Sequence, residues 1–222
     1  MAKSGTTRTG ALSQRKAPVQ ARGRQSIDDL LSATQRVLVR DGPSALTTPA
    51  IAKEAGVSVG ALYHFFPNKE SLILALYETK LGEIRAIVET PIIATGDWRA
   101  DIGGWLRAIK AKEAEIGYGL ALNEAMDHFP SLEAVTRRHQ SAQAAGIAQQ
   151  FKALGSPWPD NALFDLALYA YFLNSAAWLY WAYAGEELPQ AVDRLVATAT
   201  ALVAPAFEGG APPTRKLAKP AG

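Results

Sequence analysis

Cysteine is absent from the 222 residues, which excludes disulfides and thiolate metal sites. Histidine occurs only at His64, His128 and His139. There is no nucleophile elbow, zinc-binding HExxH helix, phosphate-binding loop or dinucleotide fingerprint. An enzyme is therefore not expected, and neither a cofactor nor a metal is called for. No run approaches the ~18 consecutive apolar residues of a membrane helix. The N-terminus lacks the apolar core of a signal peptide. Convincing strand alternation and internal repeats are missing too, so a cytoplasmic, all-α protein is expected.

Charge of one sign is also scarce where it would be most useful. The net charge is +2, yet residues 1–25 carry six basic side chains and no acid, and the last fourteen residues add Arg215, Lys216 and Lys219. Residues 26–89 carry six basic and eight acidic side chains. The expected organisation is a disordered basic arm over 1–24, a DNA-binding domain over 25–70, a helical body over 71–208 and a disordered tail over 209–222. The arm is suited to tracking a DNA backbone, and equally to a solubilising tail.

What is present is a dense set of local signals between Leu46 and Leu72. Thr47 and Thr48 offer cap hydroxyls, and Pro49 falls in the first turn, where a missing N–H costs little. Ile51, Ala52 and Ala55 give one small apolar face. Gly56 supplies a left-handed stop. Ser58 caps a second short helix, Val59 to Phe65, whose Leu62 and Phe65 face inward with Val57 behind them. Ala52 is small because two steeply crossing helices come close there. The pattern reads as a helix-turn-helix. Its outer side, with Val59, Gly60, Ala61, Tyr63 and His64, is small, aromatic and nearly uncharged, which suits a groove better than bulk water.

The expected DNA-binding residues follow from that face. Gly60 and Ala61 let the backbone approach the major groove, and Val59 and Ala61 meet thymine methyl groups. His64 reaches a base edge or a phosphate. Thr47, Thr48, Ser58 and Tyr63 are positioned for phosphates, which set register rather than sequence. Asn68 caps a further helix, and its free N–H groups with Lys69 make another phosphate site.

The stretch Gly56-Val57-Ser58-Val59-Gly60-Ala61-Leu62-Tyr63-His64-Phe65-Phe66-Pro67-Asn68-Lys69-Glu70-Ser71-Leu72 resembles the TetR/AcrR family of bacterial transcriptional regulators. The likeness is detailed over about residues 26 to 80. Val59 departs from it, since many members carry a basic or polar residue there. The resemblance implies an all-α fold. An N-terminal three-helix helix-turn-helix DNA-binding domain would be joined by a long helix to a C-terminal helical ligand-binding and dimerisation domain.

Periodicity fills in the rest. Ser26-Ile27-Asp28-Asp29 reads as a capping box that opens the first helix. One long helix runs from Asn68 to about Glu89. Others follow over Trp98–Glu115, Gly119–Phe129, from Ser131 to about Leu154, and from Asp160 to about Tyr183. Pro189 sits in the first turn of the last, which ends near Val203. The Asp160 helix is apolar nearly all round and must be covered on more than one side. With the last helix it would form a four-helix interface with a second copy, the homodimer that the resemblance also implies.

The resemblance further implies a small-molecule effector pocket in the body. Candidate lining residues are Trp105, Tyr118, Leu122, Met126, Phe129, Phe151, Tyr171, Asn174, Trp178 and Trp181, although each taken singly reads more readily as core or dimer contact. Asn123, Asn174 and Ser175 stand out as polar residues within apolar helices, whose partner is a ligand or, more commonly, a neighbouring carbonyl. The aromatic content suggests an apolar or aromatic ligand. The function expected is a homodimeric repressor of operator DNA, released by that ligand. A ligand-independent DNA-binding or architectural protein remains the alternative.

Overall fold

A computed structural model describes residues 21–184 and 190–213. Most of the basic arm, the tail beyond residue 213 and Pro189 lie outside the described residues. Within them the chain forms nine helices and no strand. In order they are α1 (Ala21–Asp41), α2 (Thr48–Ala55), α3 (Val59–Phe65), α4 (Lys69–Glu89), α5 (Trp98–Ile116), α6 (Leu120–His128), α7 (Glu133–Ala153), α8 (Asp160–Ala184) and α9 (Ala191–Val203).

Two boundaries differ from the sequence reading. Helix α1 begins at Ala21, so Ser26 lies inside it rather than at its cap. The residues ahead of Ser26, Ala-Arg-Gly-Arg-Gln, are mostly strong helix formers that extend the helix backward, and Gln25 bonds Asp29 one turn on at 3.0 Å. At the other end, residues 209–210 are packed. The Trp158 indole N–H donates to the Gly210 carbonyl at 2.7 Å, and Gly210 N–H bonds Pro205 O at 2.9 Å.

The described chain divides into two compact units. The first holds the residues up to Leu81 together with Ala121–Thr136. The second holds Gly82–Leu120 and the chain from Arg137 onward. The first unit therefore extends beyond residue 70, because the opening turns of α4 supply its core. Leu72, Ile73, Leu76 and Tyr77 are all almost fully buried. Leu30, Val37 and Leu38 from α1, Leu46, Ile51 and Ala52, and Leu62 and Phe66 complete that interior.

The second unit is centred on Ile102, Ala144, Ala148, Phe151, Trp158, Leu163, Leu166, Ala167 and Val203. Trp98 stacks on Phe207 at 4.6 Å, and Phe151 meets the same ring edge-on at 6.1 Å. The end of α4 is fastened by one side chain. Gln150 Nε2 donates to Val88 O at 2.7 Å and Thr90 O at 3.0 Å, while its Oε1 accepts from Ile92 N–H at 3.0 Å. Those groups are carbonyls left open at the helix end and the first amide after Pro91, so a single glutamine side chain ties the end of α4 to the segment that follows it.

Candidate nucleic-acid interface and effector site

Local chemistry builds the first site. Thr47 Oγ1 accepts from Ala50 N–H at 3.2 Å and opens α2. Gly56 closes it at φ +69°, with Gly56 N–H on Lys53 O and Val57 N–H on Ala52 O at 3.0 Å. That is the paired bonding of a left-handed helix stop. Ser58 Oγ accepts from Ala61 N–H at 3.1 Å and opens α3. Ala52 is buried at the crossing, as its small size demands.

Leu62 points inward with no exposed surface. Its inward companion, however, is Phe66 rather than Phe65. Phe66 sits just beyond α3 in extended backbone (φ −125°, ψ 123°) and is fully buried, whereas Phe65 is only half-buried. Leaving the helix turns the next side chain by a strand's angle, which helical spacing does not anticipate.

The opposite face of α3 lies open. Val59, Gly60, Ala61, Tyr63 and His64 are all exposed. Tyr63 Oη and Thr48 Oγ1 lie 3.1 Å apart, so the two hydroxyls act as one pre-set pair across α2 and α3. Lys69 is more engaged than the sequence suggested. Its ammonium donates to Leu46 O at 3.3 Å and stands 4.7 Å from the centre of the Phe129 ring. Asn68 Oδ1 accepts from Ser71 N–H at 2.8 Å and caps α4. On α2, Glu54 receives Arg36 at 2.7 Å and Arg40 at 2.9 Å, and Arg40 also holds Asp41. Hydrogen bonds from Arg36 and then Arg40 hold the Glu54 carboxyl below the usual range.

The candidate ligand residues separate. Leu122, Met126 and Phe129 belong to the first unit, and the Phe129 ring lies under Lys69. Trp105, Tyr118, Phe151, Tyr171, Asn174 and Trp178 belong to the second. Phe151 is part of the main hydrophobic cluster, where its bland reading as core suffices. The Trp105 indole N–H donates to Ile87 O at 3.4 Å. Ser175 Oγ turns back to Tyr171 O at 3.4 Å within α8.

Asn174 and Trp178 lie beside a buried ion pair that the sequence reading missed. Lys110 and Glu113 on α5 hydrogen-bond to each other, and each is almost wholly buried. The Lys110 ammonium lies 4.5 Å from the Trp178 ring centre and 5.5 Å from that of Trp181. The two indoles meet edge-to-face at 4.9 Å. Burial pushes the Glu113 carboxyl above the usual range, against the opposing pull of Lys110 and of a hydrogen bond from Asn174. A signal for the pair existed. Glu113 falls four residues after Ile109 and three before Ile116, on the stripe that α5 buries.

Helix α8 presents its other side to solvent. Tyr169, Phe172, Leu179, Tyr180 and Tyr183 are exposed, with Tyr183 at 92% and Tyr169 at 64%. By length and mean hydropathy Asp160–Trp181 is apolar enough to cross a membrane, which corrects the sequence reading: that reading counted consecutive apolar residues, and Asn161, Asp165 and Asn174 interrupt the run without making the helix polar.

Comparison with known proteins bears on both sites. Residues 30–76 match the profile described as "Bacterial regulatory proteins, tetR family". The transcriptional regulator EthR of Mycobacterium tuberculosis is 28% identical over 144 residues, which cover 63% of this chain and 60% of EthR. A transcriptional repressor of the same organism is 29% identical over 98 residues, 43% of this chain and 37% of the repressor. The chain thus spans about three fifths of one of these relatives and little more than a third of the other. A tetR-family regulator from Streptomyces coelicolor has the same fold, with a TM-score of 0.64, 19% identity, and coverage of 84% of this chain and 83% of that one.

Proposed function

Because residues 30–76 match the tetR-family profile, we propose that this chain is a bacterial regulator of that family, a homodimeric transcriptional repressor whose α3 reads operator DNA and whose body binds a small, largely apolar or aromatic effector. The observation that carries the DNA reading is the exposed face of α3. Its residues are small or aromatic, and it is fixed at one end by the Ser58 cap and across α2 by the Tyr63–Thr48 pair. Such a face enters a major groove without first shedding charged side chains. Tyr63, Thr48 and Thr47 would set register on phosphates, while Val59, Ala61 and His64 would meet bases.

The dimer reading rests on α8. A stripe of exposed aromatic and aliphatic side chains at Tyr169, Phe172, Leu179, Tyr180 and Tyr183 would be covered by the same stripe of a second copy. A dimer supplies two reading heads for two half-sites about one DNA turn or a multiple apart. Effector release then requires only that the ligand bind the DNA-free form more tightly. Helix α4, which runs from the first unit into the second, would be the element carrying that preference.

The test is binding to DNA from immediately upstream of the protein's own gene, across a salt series, beside a Tyr63→Ala/His64→Ala variant. Saturable binding at one site that weakens steeply with salt and drops at least about tenfold in the variant supports the reading. Binding that ignores sequence and is unchanged in the variant overturns it. Lys69 is a poor choice for this test, because Leu46 O and the Phe129 ring both depend on its ammonium.

A further inference from the structure

Two buried polar atoms in the second unit have no hydrogen-bond partner among the described residues: Asn174 Oδ1 and Trp178 Nε1. Buried donors and acceptors are nearly always paired, because one left unpaired loses its hydration and gains nothing in return. These two are complementary, one an acceptor and the other a donor. They stand four residues apart on α8, hence on one face. Yet they do not bond each other. Asn174 is held by its hydrogen bond to the Glu113 carboxylate, an acceptor that takes the amide NH2 and leaves Oδ1 turned away. Trp178 is held by its neighbours, with Lys110 over its ring and Trp181 against its edge. The pair is therefore kept open by the same ion pair that α5 buries.

We propose that Asn174 Oδ1 and Trp178 Nε1–H form the polar anchor of the effector site, and that the effector is a neutral molecule presenting a hydroxyl or carboxamide on an aromatic or aliphatic body. This rests on the regulator reading above and specifies its ligand. One hydroxyl both accepts from the indole N–H and donates to the amide oxygen, and a carboxamide does the same with two atoms. Charge is excluded on energetic grounds. Lys110 and Glu113 already pair with each other in a buried setting, and an ion brought beside them would lose its hydration next to charges that are already engaged. The ring surfaces of Trp178 and Trp181 supply apolar contact beside the anchor. Gly119 lies close by, since a β-carbon built on it would fall 3.8 Å from the Trp178 ring.

The experiment follows the tryptophan indole N–H resonances of the 15N-labelled full chain, with Trp178 assigned from a Trp178→Phe variant. The probes are benzyl alcohol and benzamide, with toluene, benzoate and benzylammonium as matched controls. The neutral polar probes are expected to move the Trp178 resonance downfield and saturably at millimolar concentration. Asn174→Leu is expected to weaken them about tenfold, the loss of one hydrogen bond. Asn174→Leu also removes a donor from Glu113, so Trp178→Phe is titrated in parallel on the Trp181 resonance, where the same weakening is expected. If neither polar probe moves Trp178, the two atoms share only an ordered water and the proposal falls. It falls equally if toluene or a charged control binds as well and both variants keep the affinity. Binding of upstream DNA, measured on the same samples, stands apart. If DNA binds while the probes do not, only the ligand assignment is lost; if DNA fails to bind, the regulator reading is lost whatever the resonances do.

Discussion

Single residues in the reading head work through backbone chemistry more than through contact area. Gly56 is the clearest. Its φ of +69° lies in the left-handed region, and no atom stands within 4 Å of where its β-carbon would be. Gly56→Ala therefore meets backbone strain and no clash. It should lower stability by about 1 kcal/mol, measured as a shift in the denaturant midpoint with an unchanged slope. A much larger loss would mean that the turn packs more tightly than the open space around it indicates. The cap residues Thr47 and Ser58 and the stop at Gly56 were all legible in the sequence, because each acts on atoms within four residues. Phe66 was not, because its burial depends on how the chain leaves α3.

At the scale of elements, α7 shows what tertiary burial does to a titrating group. His139 is buried on α7, with Gln143 Nε2 3.2 Å from its Nε2. Burial, and secondarily the charge of Arg85, lowers its pKa from 6.5 to about 4. The folded state thus binds fewer protons than the unfolded state between those values. The stability held by neutral His139 is fully present above pH 6.5 and is lost as the pH falls toward about 4. Replacing it with leucine should flatten the fall in thermal midpoint across that window relative to the unmodified protein. Equal slopes in the two would show that carboxylates alone produce the acid sensitivity.

Element boundaries were legible where breakers stand, as at Pro91, Pro130 and Gly155-Ser156-Pro157, and less so at α1. There the strong helix formers after residue 20 carried the helix past its expected cap. Helix α5 was placed correctly along the chain, but the reach of Lys110 and Glu113 into the interior was not anticipated. A charged pair three residues apart reads as a solvated face unless the apolar residues on both sides of Glu113 are weighed.

For the whole molecule, the exposed stripe of α8 carries the assembly prediction. Phe172→Glu/Leu179→Glu should convert a dimer into a monomer in sedimentation velocity without loss of helical signal, and should weaken operator binding by removing the second head. A chain that is monomeric before substitution, or that associates with vesicles through this stripe, would assign α8 a different covering.

What the sequence by itself determined is the reading head, because caps, a left-handed glycine and a short apolar spacing act through neighbours a few residues apart. It also determined that the remainder is helical and that α8 is apolar on more than one side. Only the tertiary structure decided which side of α8 faces inward, since a helix apolar all round has no periodicity left to announce it. Tertiary structure alone also brought Lys110 and Glu113 to Asn174 and Trp178, and Lys69 to Phe129. Those partners lie about sixty residues apart in sequence. Their meeting depends on how helices pack, which no local pattern encodes.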